Sequence, residues 1–253
     1  GSDVVITVTT VNSTGDVSAV VLDEEGNEVS GAVVTTAGND ITVTGLNVGN
    51  YTLNVTTNDI YNNHYSVTHS GTLNITKAES DLTVPASTSV TYGSSVDMTV
   101  TIPENGNASS VSAKLYNGDV EVTGVVSVDD LKISVNALTL DVGEYTLKVT
   151  TETDSNHASV TKEGSVTVTQ AGSDVTVLQS TVIYDSSVTV TVTDLVNATG
   201  VTGAALYDGD VKVKDLTVND GVNVVVDATG VDVGIYTLKV TTIPIDANHA
   251  AVT

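Results

Sequence analysis

An internal repeat constrains this chain more than any other feature. Asn47-Val-Gly-Asn-Tyr-Thr-Leu-Asn-Val-Thr-Thr57 recurs as Asp141-Val-Gly-Glu-Tyr-Thr-Leu-Lys-Val-Thr-Thr151 and as Asp232-Val-Gly-Ile-Tyr-Thr-Leu-Lys-Val-Thr-Thr242. An Asn-His pair follows each copy, at Asn63-His64, Asn156-His157 and Asn248-His249. Ser80-Asp-Leu-Thr-Val84 returns as Ser173-Asp-Val-Thr-Val177. The shared Tyr51, Tyr145 and Tyr236 are 94 and 91 residues apart. That period is too long for a solenoid unit of about 20–50 residues.

Within a repeat the apolar residues alternate. Val96, Met98, Val100 and Ile102 are separated by Asp97, Thr99 and Thr101, and Tyr145, Leu147 and Val149 by Thr146 and Lys148. Period-two patterning rich in Val and Thr predicts half-buried strands, and no stretch carries a helical period. Strands in a unit of this length predict an all-β fold of tandem immunoglobulin-like sandwiches of about 100 residues each. The repeats are 1–79, 80–171 and 172–253. The middle one is complete, with strands A (82–92), B (96–102), C (111–116), C′ (120–123), E (131–135), F (145–151) and G (165–169). The first lacks strand A and the third lacks strand G, as in a fragment cut from a longer array. Missing strands leave open edges, so self-association through edge strands is expected. Asn117-Gly118 and Asp208-Gly209 suit the central pair of a type I′ hairpin. With Trp 0 and Phe 0, the core must come from Val, Leu, Ile and Tyr.

Charge narrows the partners. Eight cations, all Lys, stand against 31 Asp and Glu, for a net charge of −23. Nucleic acid is excluded as a partner, because phosphate neutralisation needs cationic clusters. No apolar run approaches the ~18 residues of a membrane span, so direct membrane insertion is not expected. Cys is 0, which removes disulfides and thiolate chemistry.

With the strands placed, the units resemble the bacterial-type Ig-like repeats of prokaryotic cell-surface adhesins. The match rests on Val90-Thr-Tyr-Gly-Ser-Ser-Val-Asp-Met-Thr-Val100, Lys114-Leu-Tyr-Asn-Gly118 and Leu140-Asp-Val-Gly-Glu-Tyr-Thr-Leu147. His stands where many members have Tyr in the loop after strand F. The Cys-free composition, rich in Thr, Val, Asn and Asp, is also similar to adhesin-like proteins of methanogenic archaea. The resemblance implies a non-catalytic, extracellular fragment of a prokaryotic surface. It would be a rod-like stalk or spacer presenting a binding tip to a surface glycan or protein of another cell. A scaffold resemblance names no ligand.

Several residues are candidates for specific roles. Tyr51, Tyr145 and Tyr236 open strand F after a Gly turn and predict a tyrosine corner, the hydroxyl returning to upstream backbone. The Asn-His pairs read as structural loop residues, since one His without His or Cys neighbours makes a poor zinc site. Asp59, Tyr61, Asn62, His64 and Tyr65 fill the first F–G loop. They combine aromatic faces with polar groups, as a glycan- or cell-wall-binding loop does. No cofactor is required, and calcium is the one ion the acids could gather. The candidate ligands at the first junction are Glu79, Asp81, Glu104, Glu152 and Asp154. Those at the second are Asp141, Glu144, Asp174, Asp194 and Asp246. Calcium needs 6–8 converging oxygens and would then make the chain a rigidified spacer. No hydrolase elbow, zinc-helix or phosphate-loop motif is present, so no enzyme is expected.

Overall fold

A computed structural model describes residues 3–11, 16–57, 64–104 and 106–253. The chain is all-β, with 24 strands among these residues. It divides into two compact units, Gly1–Thr83 with Thr101–Ser112 and Val149–Lys162, and Val84–Val100 with Ala113–Lys148 and Glu163–Thr253. No helix among the described residues is long and apolar enough to cross a membrane.

In the first unit, Asp40–Thr44 lies between Val4–Thr7 and Val33–Ala37, antiparallel to both. Gly49–Thr57 likewise lies between Val17–Leu22 and Thr68–Ile75. Alternate side chains of the two sheets meet in one core of Val17, Val21, Ile41, Val43 and Leu53. Each such buried aliphatic side chain contributes about 1.5–3 kcal/mol over an exposed one, so a core without Trp or Phe needs many of them.

In the second unit, Lys132–Asn136 pairs with Ser95–Thr99 and with Val126–Asp129. Ser110–Asn117 pairs with Val120–Val122, and Thr161–Thr169 runs parallel to Ser87–Thr91. Gly143–Glu152 lies between Ser110–Asn117 and Thr161–Thr169 in that sheet, and a separate six-stranded sheet has the order Asp174–Val177, Ser187–Val196, Asn223–Asp227, Val211–Asn219, Ala198–Asp208, Thr237–Pro244.

Three local expectations change. Strand A is expected over 82–92 but is regular only over Ser87–Thr91, with Thr83 making one bridge to Thr101. Pro85 stands between those pieces and has no N–H for a ladder. The hairpin turns are centred one residue later than expected. Asn117 pairs with Val120, so Gly118-Asp119 is the central pair, with φ +58° at Gly118 and no positive φ at Asp119. Asp208 pairs with Val211 around Gly209-Asp210 in the same way. Gly first with positive φ is the type II′ pattern rather than I′. Third, Val211–Asn219 is one strand that pairs first with Ala198–Asp208 and then with Asn223–Asp227. Its counterpart in the second repeat is two strands, Val120–Val122 and Val126–Asp129, separated at Gly124 with φ +78°. The third repeat has Asp215 there, and the strand runs through.

Candidate functional site

The repeated residues converge where one sequence repeat meets the next. The turn before Gly49–Thr57 is held first by its own tyrosine. Tyr51 donates its hydroxyl to the Asn47 carbonyl at 3.0 Å. Tyr145 donates to Asp141 and Tyr236 to Asp232, each at 2.8 Å. Burial pushes the Tyr145 hydroxyl above its ordinary pKa, and the nearby Asp141 charge adds to the shift. Space beside the ring is tight at the third repeat, ordinary at the first and open at Gly143 of the second. A Cβ at Gly234 would lie 3.3 Å from the Tyr236 ring, and one at Gly49 would lie 3.4 Å from the Tyr51 hydroxyl.

The other side of the turn is held by the following repeat. In the first unit, the Val48 amide donates to Asn156 Oδ1 at 2.9 Å, and Asn156 Nδ2 donates to Asn47 Oδ1 at 2.9 Å. In the second unit, the Val142 amide donates to Asn248 Oδ1 at 2.8 Å, and Asn248 Nδ2 donates to Asp141 Oδ1 at 3.1 Å. Both ends of one carboxamide are thus used, on partners 106–109 residues away.

An Asp two residues earlier shapes the loop. Asp154 Oδ1 accepts the Asn156 amide at 2.8 Å and His157 Nδ1–H at 2.7 Å. Asp246 Oδ1 accepts the Asn248 amide and His249 Nδ1–H at the same two distances. Both carboxyls are held below the usual range. The Asn156 amide is the larger cause at Asp154 and the His249 ring at Asp246. The His249 ring is buried and meets Tyr92 edge-on, with ring centres 5.2 Å apart.

The linkers complete each junction. Ala78–Glu79 pairs in parallel with His157–Ala158, and Ala171–Gly172 with His249–Ala250. Asn107 Nδ2 donates to the Glu79 carbonyl at 2.9 Å, and Asn197 Nδ2 to the Gly172 carbonyl at 3.1 Å. Both Asn residues hold positive φ, 53° and 52°, which Asn tolerates better than most residues. Their carbonyls accept the hydroxyls of the buried Ser80 and Ser173. Sequence reasoning missed Asn107, Asn197 and the serine hydroxyls. The signal was present, since Asn107-Ala108 recurs as Asn197-Ala198 and the serines open a repeated segment.

The calcium candidates are placed as follows. Glu104, Glu152, Asp154 and His157 line one shallow hollow of the first unit. Asp81 accepts the Leu82 amide and pairs with Lys162 at 3.5 Å, and Glu79 lies in the linker strand. Asp141 and Asp246 belong to the junction just described. Asp174 accepts the Val175 amide, Asp194 accepts the Thr193 hydroxyl, and Glu144 is exposed. Among the described residues, no three His, Asp or Glu side chains gather where they could hold a metal ion. Of the expected glycan loop, His64 and Tyr65 are exposed, Tyr65 at 96%. Asp59, Tyr61 and Asn62 lie outside the described residues.

Comparison with curated proteins finds no match. Among solved structures, an I-band fragment of titin is 13% identical, covering 98% of this chain and 90% of its own, with a TM-score of 0.33. A tetra-tandem repeat from the extending region of a large adhesion protein is 21% identical over 99% of this chain and 68% of its own, also at 0.33. Extracellular domains 3–5 of Drosophila OTK are 9% identical over 96% and 91%, at 0.36. Scores this low carry no argument about fold. The profile of the Toastrack DUF4097 family, by contrast, matches residues 29–235, and it overturns the resemblance to bacterial-type Ig-like adhesin repeats. The matched span, residues 29–235, takes in both repeat boundaries. The short segments behind the resemblance are a hairpin, alternating strands and a Gly-Tyr turn, which specify local β geometry and not a family. This chain belongs to the Toastrack DUF4097 family.

Proposed function

We propose that the chain is a non-catalytic spacer at a cell surface, made of tandem Ig-like sandwiches and holding a binding segment at a set distance from that surface. The observation that carries this reading is the repetition of one hydrogen-bonded junction. The Asp-x-Asn-His loop, the parallel linker pairing and the left-handed Asn occur at both boundaries with matching partners. A spacer needs its joints fixed, and each side chain ordered in a joint costs conformational entropy that direct bonds must offset. The two facing sheets of the first unit support the sandwich reading. A strongly acidic surface keeps such a chain soluble and discourages association with itself.

Immunogold labelling of intact source cells, with separate antibodies to the first and third repeats, tests the proposal. It predicts two narrow bands of label outside the envelope at different distances. Label inside the cell, or bands that coincide, contradicts it. A second reading, glycan binding at the first F–G loop, is favoured only by the exposure of Tyr65. It predicts that Tyr65→Ala abolishes binding on a glycan array, and an array that shows no binding by the intact chain ends it.

A further inference from the structure

The tripeptide Asn-x-Ser/Thr starts at Asn12, Asn50, Asn54, Asn74, Asn107 and Asn197. Such tripeptides arise by chance in a chain rich in Asn, Ser and Thr, so the sequence alone gives them no role. The structure separates them. Asn12 lies outside the described residues. Asn107 and Asn197 direct Nδ2 at the linker carbonyls of Glu79 and Gly172, so their amides belong to the junctions.

The other three share one face of one sheet. Gly49–Thr57 pairs with Thr68–Ile75 so that Asn50 faces Asn74, Thr52 faces Thr72, Asn54 faces Ser70 and Thr56 faces Thr68. Successive residues of a strand point to opposite faces. Leu53 lies in the core, so Asn50, Thr52, Asn54 and Thr56 point outward. In Asn50–Thr52 and Asn54–Thr56 the amide and the hydroxyl of the tripeptide therefore stand on the same side. Asn50 and Asn74 are exposed and Asn54 is half-buried. This placement needs no open sheet edge. Thr167, the counterpart of Asn74 in the second repeat, is only half-buried although Ser87–Thr91 is paired alongside.

The same face carries charge in the other repeats. Lys148, in the place of Asn54, pairs with Glu163 at 3.0 Å, and Glu163 stands in the place of Ser70. Lys239 of the third repeat lies over the Tyr207 ring, 4.3 Å from its centre. The first repeat has no Asp, Glu or Lys in Val17–Leu22, Gly49–Thr57 or Thr68–Ile75. Its Asn54 Oδ1 accepts the Ser70 hydroxyl at 2.7 Å, which leaves Nδ2 unclaimed among the described residues. Asn74 Nδ2 donates to Asn50 Oδ1, and Asn50 Nδ2 reaches Glu24 Oε1 at 3.4 Å.

We propose that this face of the first repeat is a glycosylation surface. It carries two N-linked oligosaccharides, one on Asn54 and one on the Asn50–Asn74 pair. Facing Cβ atoms across a strand pair are about 5 Å apart, which leaves room for a single oligosaccharide there. The donor is a lipid diphosphate-linked oligosaccharide. The carboxamide nitrogen forms a bond to the anomeric carbon of the first sugar, and the bond from that carbon to the diphosphate oxygen breaks. The lipid diphosphate leaves with the electron pair, and one amide proton passes to a base of the transferase. Bulky, solubilising sugars then give the uncharged face what ion pairs give the second repeat. The inference rests on the cell-surface reading, since the transfer needs export.

The test takes the full chain from source cells, cleaves it after Glu and measures the mass of the fragment 29–79. Glu28 and Glu79 bound this fragment, which holds Asn50, Asn54 and Asn74. Its mass should exceed that of the bare sequence by two oligosaccharides. Electron-transfer fragmentation should place one on Asn54 and one on Asn50 or Asn74, with Asn107 and Asn197 unmodified. Thr56→Val keeps Asn54 but removes the hydroxyl of its tripeptide, and should lose one oligosaccharide. Thr56→Ser restores the hydroxyl and should carry both. An unmodified fragment, any other number or placement, or two oligosaccharides on the Thr56→Val chain overturns the inference. Immunogold label outside the envelope together with an unmodified fragment overturns this inference alone, whereas label inside the cell overturns the spacer reading as well.

Discussion

Asn248 and Asn156 occupy equivalent positions yet face different acceptors, and that difference makes a prediction. Asn248 Nδ2 donates to the Asp141 carboxylate, which cannot donate back, whereas Asn156 Nδ2 donates to the Asn47 amide, which can turn over and offer its own N–H. Asn248→Asp should therefore cost about 1–3 kcal/mol, because two carboxylates then face one another. Asn156→Asp should cost less than about 1 kcal/mol, because the Asn47 amide flips to donate. Urea unfolding of the two variants checks this, and equal losses would contradict it. The tyrosine corner gives a second prediction. Tyr145→Phe leaves the ring buried but removes the donor to Asp141, for an expected loss of about 1–2 kcal/mol. The tyrosines and their acceptors were legible in the sequence, because ring, Gly and turn lie within four residues. The Asn-His pairs were recognised only as loop residues. Their partners lie more than 100 residues away, and no local spacing rule reports such a bond.

Among the elements, strand existence was legible and strand continuity was not. Alternation marks where a strand can form on a half-buried face. It does not say whether two short strands fuse, which here turned on one position, Gly124 in the second repeat and Asp215 in the third. Close backbone approach is equally silent in the sequence. A Cβ at Gly164 would lie 2.5 Å from the Pro85 carbonyl oxygen, so Gly164→Ala must push Thr161–Thr169 away from its parallel neighbour. A loss of about 1–3 kcal/mol is expected by thermal or urea unfolding. The junction loops carry a pH signature. Asp154 and Asp246 have folded-state pKa values below the ordinary carboxylate value. Their contribution is therefore present above an unfolded value of about 3.9 and is lost as pH falls through the lower folded value. Hydrogen exchange at the Val48 and Val142 amides should stay slow from pH 7 to 5, after correction for intrinsic rates. It should quicken only below about pH 4. Quickening already between pH 7 and 5 would contradict this assignment.

For the whole molecule, the net charge of −23 is the dominant global term. Self-repulsion of exposed acids weakens once the screening length falls to about 10 Å near 0.1 M salt. The melting temperature should rise between low salt and about 0.15 M, and calcium at matched ionic strength should add nothing further, since no three candidate ligands converge among the described residues. A calcium-specific shift removed by chelator would contradict that. Composition and repeat length made the all-β class legible. The family was not, because the segments that suggested one are shared by many β architectures. The central claim is that the Asp-x-Asn-His loop fixes each junction. Spin-label distance measurement across the second junction tests it most directly, on the variant Ser127→Cys with Thr189→Cys, both exposed sites in a chain whose natural Cys count is 0. A single narrow distance is expected, and it should broaden when Asn248→Ala is added. A distribution already broad with Asn248 in place, or one that Asn248→Ala leaves unchanged, would contradict it.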